Sequence, residues 1–258
     1  MLGRKSHCLN WKLKMGDWKL QTAIDDRRVP PPNVIFIFSD QHNPLVMSHA
    51  GDATVRTPNL DALAREGVSL TNCYCPSPLC VPSRMAMLAG LLPSETGVYT
   101  NHQCLPSDRA TFLHCLAAAG YETVLCGRMH FVGPDQRHGY MRRLVGDITP
   151  TTVAARAEKS YGYLQGTPGS SRIALDRAGP GHSNVLAYDR DVTEAACELI
   201  EGWAPDKPLF LTVGLYGPHC PYVCPKELFD YYHERLPLPS LPEGFRENVH
   251  PAIREMYE

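Results

Sequence analysis

The chain contains several short apolar runs that predict β-strands. Val34 to Phe38, in NVIFIFSD, is a continuous apolar run rather than an alternating one, which is typical of a strand buried on both faces of a parallel sheet. YETVLCG (121–127) and KPLFLTVGLY (207–216) predict two further strands, the second of them buried. VSLTNCY (68–74) predicts another short strand.

Segments with helical character alternate with these strands. TPNLDALAREG (57–67) predicts a helix that is capped by Thr57 and ends at Gly67, with its two leucines on the apolar face. Further helices are predicted at 82–90, 110–120 and 191–203. Strands that alternate with helices indicate an α/β fold, with a mostly parallel sheet and helices on both faces.

Two segments lack a clear periodicity. Residues 1 to 32 predict an irregular or weakly helical leader that ends in three prolines. Residues 133–185 are rich in Gly, Pro, Arg and Ser, and they predict an irregular insertion that faces the substrate.

Composition narrows the classes of function. A net charge of −2 over 258 residues leaves no basic surface for nucleic acid, and no apolar run reaches the roughly 18 residues of a membrane-spanning helix. The first 32 residues lack the apolar core of a secretory signal, so a cytoplasmic location with ten reduced cysteines is expected. Cys73 and Cys75 do not have the two-residue spacing of a zinc knuckle.

Polar side chains suited to catalysis follow three of the predicted strands. Asp40 follows the first, Arg128 and His130 follow the second, and His219 follows the third. Ligands of open α/β sheets bind beyond the carboxyl ends of strands, so these residues are expected to converge. Cys80 heads a predicted helix, whose N-terminus can hold an oxyanion and acidify a thiol. From the residues alone, a buried free cysteine and solvated loop side chains stay open as alternatives.

Cys80-Val-Pro-Ser-Arg84, followed by Leu88 and Gly90, resembles the C-x-P-S-R-x-x-x-L-x-x-G signature of the type I sulfatases of the alkaline phosphatase superfamily. Neighbouring segments resemble the family's other motifs in the same order. They are residues 33–41 for the first-strand metal motif, TPNLDALAREG for the helix after it, CGRMHFVG for the G-K-x-H segment and GPHCPY for the P-H-x-P segment. The resemblance covers about residues 33 to 235. It implies that residues 33–258 are the N-terminal portion of a sulfatase catalytic domain, truncated at its C-terminus.

The resemblance implies a reaction that begins with the modification of Cys80. In the family, a separate maturation enzyme reads C-x-P-S-R and oxidises the cysteine to formylglycine (3-oxoalanine). One hydroxyl of the hydrated aldehyde attacks the sulfur of a small-molecule sulfate ester and displaces the alcohol. The other hydroxyl loses its proton and expels sulfate. A divalent cation, usually Ca²⁺, binds the hydrated aldehyde and acts as a Lewis acid.

The resemblance also implies roles for individual residues. Arg84 would orient the diol, His130 would be the base in its collapse, and His219 would bind sulfate and protonate the leaving alcohol. The implied catalytic residues are Cys80, Arg84, Arg128, His130 and His219, the implied metal ligands are Asp40, Gln41 and the modified Cys80, and Asn101 is an implied sulfate contact.

Three departures from the family pattern bear on function. Arg128 stands where the family has lysine, which keeps the charge but changes the geometry of its contacts. Ala89 stands where threonine or serine is usual, which is a mild change. The family's second pair of metal ligands and a further active-site lysine lie downstream of the P-H-x-P segment, where this sequence offers no clear counterpart.

Three functions therefore stay open. The first is a sulfuric ester hydrolase, the second a phosphonate monoester or phosphodiester hydrolase of the same superfamily, and the third a truncated, non-catalytic protein that binds sulfate or a partner protein. Among sulfatases the nearest resemblance is to choline sulfatase, through YCPSPLCVPSR and GRMHFVGPDQRHGY. The insertion offers Tyr161 and Tyr163 to a quaternary ammonium group. The sequence makes no prediction of oligomeric state.

Overall fold

A computed structural model describes residues 30–149, 176, 178–204, 206–237 and 240–251. Its strands are β1 (Val34–Asp40), β2 (Glu122–Gly127), β3 (Arg142–Arg143), β4 (Gly179–Pro180), β5 (Leu209–Pro218) and β6 (Val223–Cys224). The main sheet has the order β1-β5-β2-β3, and all its neighbouring strands are parallel. β4 and β6 pair in parallel as a second, two-stranded sheet.

The helices of the described ranges lie between β1 and β2, between β4 and β5, and after β6. They are α1 (Pro58–Glu66), α2 (Cys80–Ala89), α3 (Pro93–Thr96), α4 (Phe112–Ala118), α5 (Asn184–Glu201), α6 (Lys226–His233) and α7 (Phe245–Asn248), with a 3₁₀ helix at Ser48–Ala50. α1 lies between Thr57 and Gly67 as predicted. α2 starts earlier than predicted, so Cys80 is itself its first residue. α5 also starts earlier than the predicted residue 191, because Ser183 caps it by accepting a hydrogen bond from the Leu186 amide.

Helices cover both faces of the sheet, as predicted. On one face, Leu88 of α2 and Leu113 of α4 belong to the same apolar cluster as Leu125 of β2. On the other face, Tyr188 of α5 belongs to a cluster with Val124 of β2. Successive residues of a strand point to opposite faces, so adjacent residues of β2 enter different clusters. Burial on both sides explains the continuous apolar runs of β2 and β5.

β1 is not buried on both faces, so that prediction was wrong. Among the described strands it lies at the edge of the main sheet and pairs only with β5. Ile35 and Ile37 are 45% and 61% exposed, since no helix of the described ranges covers them. Leu60 and Leu63 of α1, which were expected on an apolar face, are exposed for the same reason.

The strand predicted at 68–74 is also wrong, because these residues form no strand. Val68 and Leu70 are largely exposed, and no strand of the described ranges lies beside them as a pairing partner. The predicted insertion at 133–185 includes β3, β4 and the start of α5. Its residues 150–175, with Tyr161 and Tyr163, lie outside the described residues, as does the predicted leader up to residue 29.

Within the described ranges, none of the helices combines the length and the hydropathy needed to cross a bilayer. No cysteine in those ranges forms a disulfide.

Two glycines let β2 and β5 approach each other closely at their carboxyl ends. The Arg128 amide donates to the Gly214 carbonyl at 2.8 Å, and a Cβ on Gly214 would collide with the carbonyl oxygen of Arg128. Gly127 has a φ of 95°, which favours glycine, and a Cβ there would collide with the Gly214 carbonyl oxygen. Glycine at these positions therefore allows the segment that carries Arg128 to lie directly against β5.

Gly214→Ala is expected to lower the free energy of unfolding by about 3 kcal/mol, because the new methyl group meets backbone that cannot move aside. Urea unfolding followed by circular dichroism measures the loss. Gly202→Ala is the control, since Gly202 has a φ of −90° and its Cβ would meet only the Glu198 carbonyl oxygen at 3.3 Å. The control should lose less than about 1 kcal/mol. Equal losses in the two variants would refute this account of Gly214.

Candidate active site

The carboxyl ends of three parallel strands bring the predicted site residues to one edge of the sheet. Asp40 is the last residue of β1, Arg128 follows β2 directly, and His219 follows β5. Cys80 opens α2 at the same edge. Asp40, Gln41, Cys80 and Arg84 line one open cavity of about 560 Å³. The convergence expected from the strand ends is therefore present.

Asp40 is held between two guanidinium groups. Its Oδ2 accepts hydrogen bonds from Nη2 of Arg84 at 3.0 Å and from Nε of Arg128 at 2.6 Å. Burial opposes ionisation of Asp40, but the positive charges of Arg128 and Arg84 outweigh it and lower the pKa of the carboxyl group. Asp40 is therefore a carboxylate that fixes both arginines beside the cavity.

Arg84 lies one helical turn after Cys80 and is almost fully buried. Its Nη1 donates to the carbonyl oxygen of Arg128 at 3.2 Å, and its guanidinium lies 4.5 Å over the ring of Phe38. These contacts hold a positive charge at the wall of the cavity, close to the first turn of α2.

Arg128 is completely buried, and each of its guanidinium nitrogens has a partner. Nε donates to Asp40, and Nη2 contacts Nδ1 of His130 at 3.1 Å. Nη1 donates to the hydroxyl of Thr149 and lies 3.7 Å from Oδ1 of Asp147. A planar guanidinium can span these partners, whereas a lysine ammonium cannot. The arginine that replaces the family's lysine is therefore integrated into the site.

His130 is a buried hydrogen-bonding partner of Cys80. Because a guanidinium only donates, Nδ1 of His130 accepts the bond from Arg128, and the neutral ring carries its proton on Nε2. Burial of the Cys80 thiol opposes its ionisation. The hydrogen bond with His130 and the charge of Arg128 outweigh burial and the nearby Asp40, so the pKa of Cys80 is lowered. Residue 80 thus occupies a position where negative charge is stabilised.

His219 reaches the same place from the end of β5. Its Nδ1 lies 3.1 Å from the carbonyl oxygen of Cys220, which leaves Nε2 available to a ligand. The preceding turn is fixed by Asp189 of α5, whose two oxygens accept the amides of Tyr216 and Gly217, both at 2.7 Å. Asp189 therefore anchors the segment that presents His219.

Asn101 contacts the start of the helix that carries Cys80. Its Oδ1 accepts the backbone N–H of Val81 at 3.0 Å. This bond satisfies one of the amides that a helix N-terminus leaves unpaired. The predicted sulfate contact of Asn101 stays a prediction, and its structural contact is to the backbone beside Cys80.

The expected metal ligands fit part of a cation site. Asp40, Cys80 and His219 each offer a ligand atom, and these atoms all lie within 4.8 Å of one another. Oδ1 of Asp40 makes no hydrogen bond to any residue that the structure describes. Gln41 lines the same cavity, and carboxylate and amide oxygens suit a hard cation such as Ca²⁺. Ca²⁺ takes roughly six to eight oxygen ligands, so these residues would supply a part of its coordination.

Sequence reasoning missed the roles of two carboxylates, the buried Asp147 and the partly buried Asp189. Asp147 had a usable signal, because it follows the apolar pair Leu144-Val145 near β3 much as Asp40 follows the apolar run of β1. Asp189 had none, since its amide partners lie 27 and 28 residues further along the chain.

The comparison with known proteins identifies the family. The sulfatase family model matches residues 32–238. This chain belongs to the sulfatase family. A choline-sulfatase of Rhizobium meliloti (strain 1021) is 34% identical over 218 residues, which cover 79% of this chain and 41% of that protein. A sulfatase of Formosa agariphila is 30% identical over 236 residues, which cover 85% of this chain and 46% of that protein. The chain thus spans less than half the length of these two curated sulfatases.

Solved structures confirm the sulfatase-like fold class. A protein solved in complex with its substrate D-glucosamine-2-N,6-O-disulfate aligns with a TM-score of 0.61 at 25% identity, over 81% of this chain and 39% of that one. The phosphonate monoester hydrolase of Agrobacterium radiobacter aligns with a TM-score of 0.64 at 21% identity, over 86% of this chain and 49% of that one. The second likeness is one of fold alone.

Asp40→Asn is expected to change how stability depends on pH. Because the pKa of Asp40 is lowered in the folded state, its carboxylate contributes stability above the unfolded pKa of about 4. That stability is lost as the pH falls through the folded pKa. At neutral pH the variant should be about 3 kcal/mol less stable, because two buried arginines lose a partner charge. Urea unfolding from neutral pH down to about pH 3 should show this difference shrinking.

The matched control is Asp230→Asn, which removes an exposed ion pair between Lys226 and Asp230 at 2.6 Å. It should change the free energy of unfolding by less than about 0.5 kcal/mol at neutral pH. If the free energy of unfolding changed with pH in the same way for the wild type and Asp40→Asn, the assigned role of the Asp40 carboxylate would be contradicted.

Proposed function

We propose that the chain carries the nucleophile of a sulfuric ester hydrolase, which cleaves an alkyl or aryl sulfate through a formylglycine made from Cys80. The observation that carries the proposal is the placement of Cys80 at the first residue of α2, beside a carboxylate, two buried guanidinium groups and two histidines. Membership of the sulfatase family supports it. The curated relatives are named sulfatases, but the chain spans only part of their length.

The modification would replace the thiol of Cys80 with an aldehyde, made by a formylglycine-generating maturation enzyme that reads Cys80-Val-Pro-Ser-Arg84. In the structure, Sγ of Cys80 stands where the two hydroxyls of the hydrated aldehyde would lie. One hydroxyl loses its proton as its oxygen forms the bond to sulfur, and the alcohol leaves with the electron pair of its bond to sulfur and takes up a proton. The second hydroxyl loses its proton and restores the C=O bond as sulfate leaves. Water then hydrates the aldehyde again.

Arg84 and Arg128 would stabilise the negative charge of the sulfate group. Arg84 lines the cavity and can approach a sulfate oxygen. Arg128 has a partner on each of its nitrogens, so it would act through its charge and through His130 rather than by gripping sulfate. Charge fixed in a water-poor site stabilises a transition state more strongly than charge in water does.

His130 and His219 would handle protons on either side of residue 80. The proton on Nε2 of His130 makes it a hydrogen-bond donor to residue 80 in the resting site, where it would stabilise the attacking oxygen. Its predicted role as base in the collapse of the diol would require the tautomer with the proton on Nδ1, and therefore release of the hydrogen bond from Arg128. His219, whose Nδ1 is engaged with the Cys220 carbonyl, would use Nε2 to bind sulfate and protonate the leaving alcohol.

Asp40, Gln41 and the modified residue 80 would hold Ca²⁺ or another divalent cation. Such a cation would supply a Lewis acid that polarises the sulfate oxygens. Oδ2 of Asp40 would stay hydrogen-bonded to the two arginines, and Oδ1 would be available to the cation.

Hydrolysis of a phosphonate monoester or phosphodiester is the second candidate. The charge of Arg84 and Arg128 would stabilise a tetrahedral oxyanion centred on phosphorus as well as one centred on sulfur. The same groups therefore serve both reactions, and substrate turnover has to rank them.

The direct test is expression of the full chain with a formylglycine-generating enzyme. Mass spectrometry of the peptide that contains Cys80 should show the aldehyde, and the protein with Ca²⁺ should hydrolyse 4-nitrophenyl sulfate faster than a phosphonate monoester. Cys80→Ala should lower turnover by about a thousandfold or more, because the nucleophile is lost. Removal of Ca²⁺ by a chelator should lower turnover reversibly.

Cys75→Ala is the matched control, because Cys75 lines the same cavity but its thiol bonds to Ser77 and Ser83. It should keep turnover within about threefold of the wild type. An unmodified Cys80, or turnover that survives Cys80→Ala, would refute the proposal. Faster turnover of the phosphonate would favour the second candidate.

A further inference from the structure

A buried carboxylate behind the site, Asp147, contacts the segment that carries Arg128 and His130. Its Oδ2 accepts the backbone N–H of His130 at 2.7 Å and that of Met129 at 3.2 Å. Its Oδ1 accepts the N–H of Thr149 at 3.0 Å and lies 3.7 Å from Nη1 of Arg128. The Asp147 side chain is completely buried, so these contacts replace all of its solvation by water.

The backbone that Asp147 holds is in an unfavourable conformation. His130 has a φ of 58°, in the left-handed region that a non-glycine residue adopts only when its surroundings compensate. One carboxylate oxygen that accepts two successive amides provides this compensation through charge-assisted hydrogen bonds. The positive φ turns the His130 ring back toward Arg128, whose Nη2 contacts Nδ1 of that ring.

Asp147 also keeps the buried charges of the site in balance. Arg128 faces Asp40 on one side and Asp147 on the other, and all three side chains are buried. Burial opposes ionisation of Asp147, yet the charges of Arg128 and Arg143 and the hydrogen bond from the Thr149 amide outweigh it and keep the pKa of Asp147 lowered. A neutral residue at 147 would leave the guanidinium with one carboxylate instead of two.

We propose that Asp147 is a positioning residue for the reaction, which fixes the Arg128 guanidinium and the His130 ring as one unit against residue 80. Asp147 is not among the residues that line the cavity beside Cys80, so it acts through these two side chains. The catalytic part of this inference rests on the proposed sulfatase function, whereas the structural part does not.

The first arm of the test is kinetic and uses the full, formylglycine-containing chain. Asp147→Asn keeps the size of the side chain but loses its charge, and its amide group would face the donors of Arg128 and Thr149. The kcat for 4-nitrophenyl sulfate should fall about 10- to 100-fold, with KM changed less than about threefold, because the loss lies in positioning and not in sulfate binding.

A double-mutant cycle separates positioning from general destabilisation. In a His130→Gln background, Asp147→Asn should lower kcat by a clearly smaller factor than in the wild type, because one of the two residues through which it acts is already gone. Tyr140→Phe is the control, since it removes a buried hydrogen bond of 2.8 Å to Thr212 without touching the site. It should lower the melting temperature but leave kcat within about twofold in both backgrounds.

The second arm requires no activity. In protein labelled with ¹⁵N-histidine, the His130 amide proton should resonate far downfield, because it bonds to a carboxylate at 2.7 Å. Its resonance is assigned by its absence in His130→Gln. Asp147→Asn should move it upfield while the amide of His114, which bonds to the Thr111 carbonyl, stays in place.

The two arms distinguish failure of this inference from failure of the proposed function. If the wild type is inactive but Asp147→Asn shifts the His130 amide resonance, the sulfatase proposal is refuted and the structural part of the inference is upheld. If the His130 amide resonance stays in place in Asp147→Asn, the inference is overturned whatever the activity. An active wild type whose kcat is insensitive to Asp147→Asn, or equally sensitive with and without His130, would overturn the positioning role.

Discussion

The site depends on the buried guanidinium of Arg128. This group follows β2 and pairs with Asp40 at the end of β1 and with Asp147 after β3. A buried cation is tolerable only when it is paired and hydrogen-bonded, and removal of one partner is costly because it leaves charge without compensation. The ends of β1 and β2 and the segment after β3 are therefore tied together at the edge of the sheet where Cys80 opens α2.

This network also imposes conditions on the backbone. Arg128 can enter the site only because Gly214 lets the segment after β2 lie against β5. His130 lies beside residue 80 in a left-handed conformation, which Asp147 supports through two amides. The backbone is thus strained and closely packed at the positions where the charged side chains meet, which is common at functional sites.

The sequence predicted those features that depend on local pattern. Apolar runs predicted β1, β2 and β5, and proline and glycine predicted the ends of α1. The Cys80–Gly90 signature predicted a nucleophile at what is the start of α2. The predictions failed where the outcome depends on tertiary partners. The exposure of Ile37, the missing strand at 68–74 and the contacts of Asp147 are set by which elements lie beside them, and hydrophobic pattern alone does not encode this. The state of the His130 ring likewise depends on Arg128, a residue that the family pattern does not contain.

The account's central claim is that residue 80 faces a single electrostatic unit made of Asp40, Arg84, Arg128 and His130. A crystal structure of the full chain, expressed with a formylglycine-generating enzyme and crystallised with inorganic sulfate, tests it most directly. The account predicts a hydrated aldehyde at residue 80, a sulfate ion within hydrogen-bonding distance of Arg84, and Arg128 between the two carboxylates. A residue 80 that remains a thiol, or an Arg128 turned out to solvent with sulfate bound elsewhere, would contradict it.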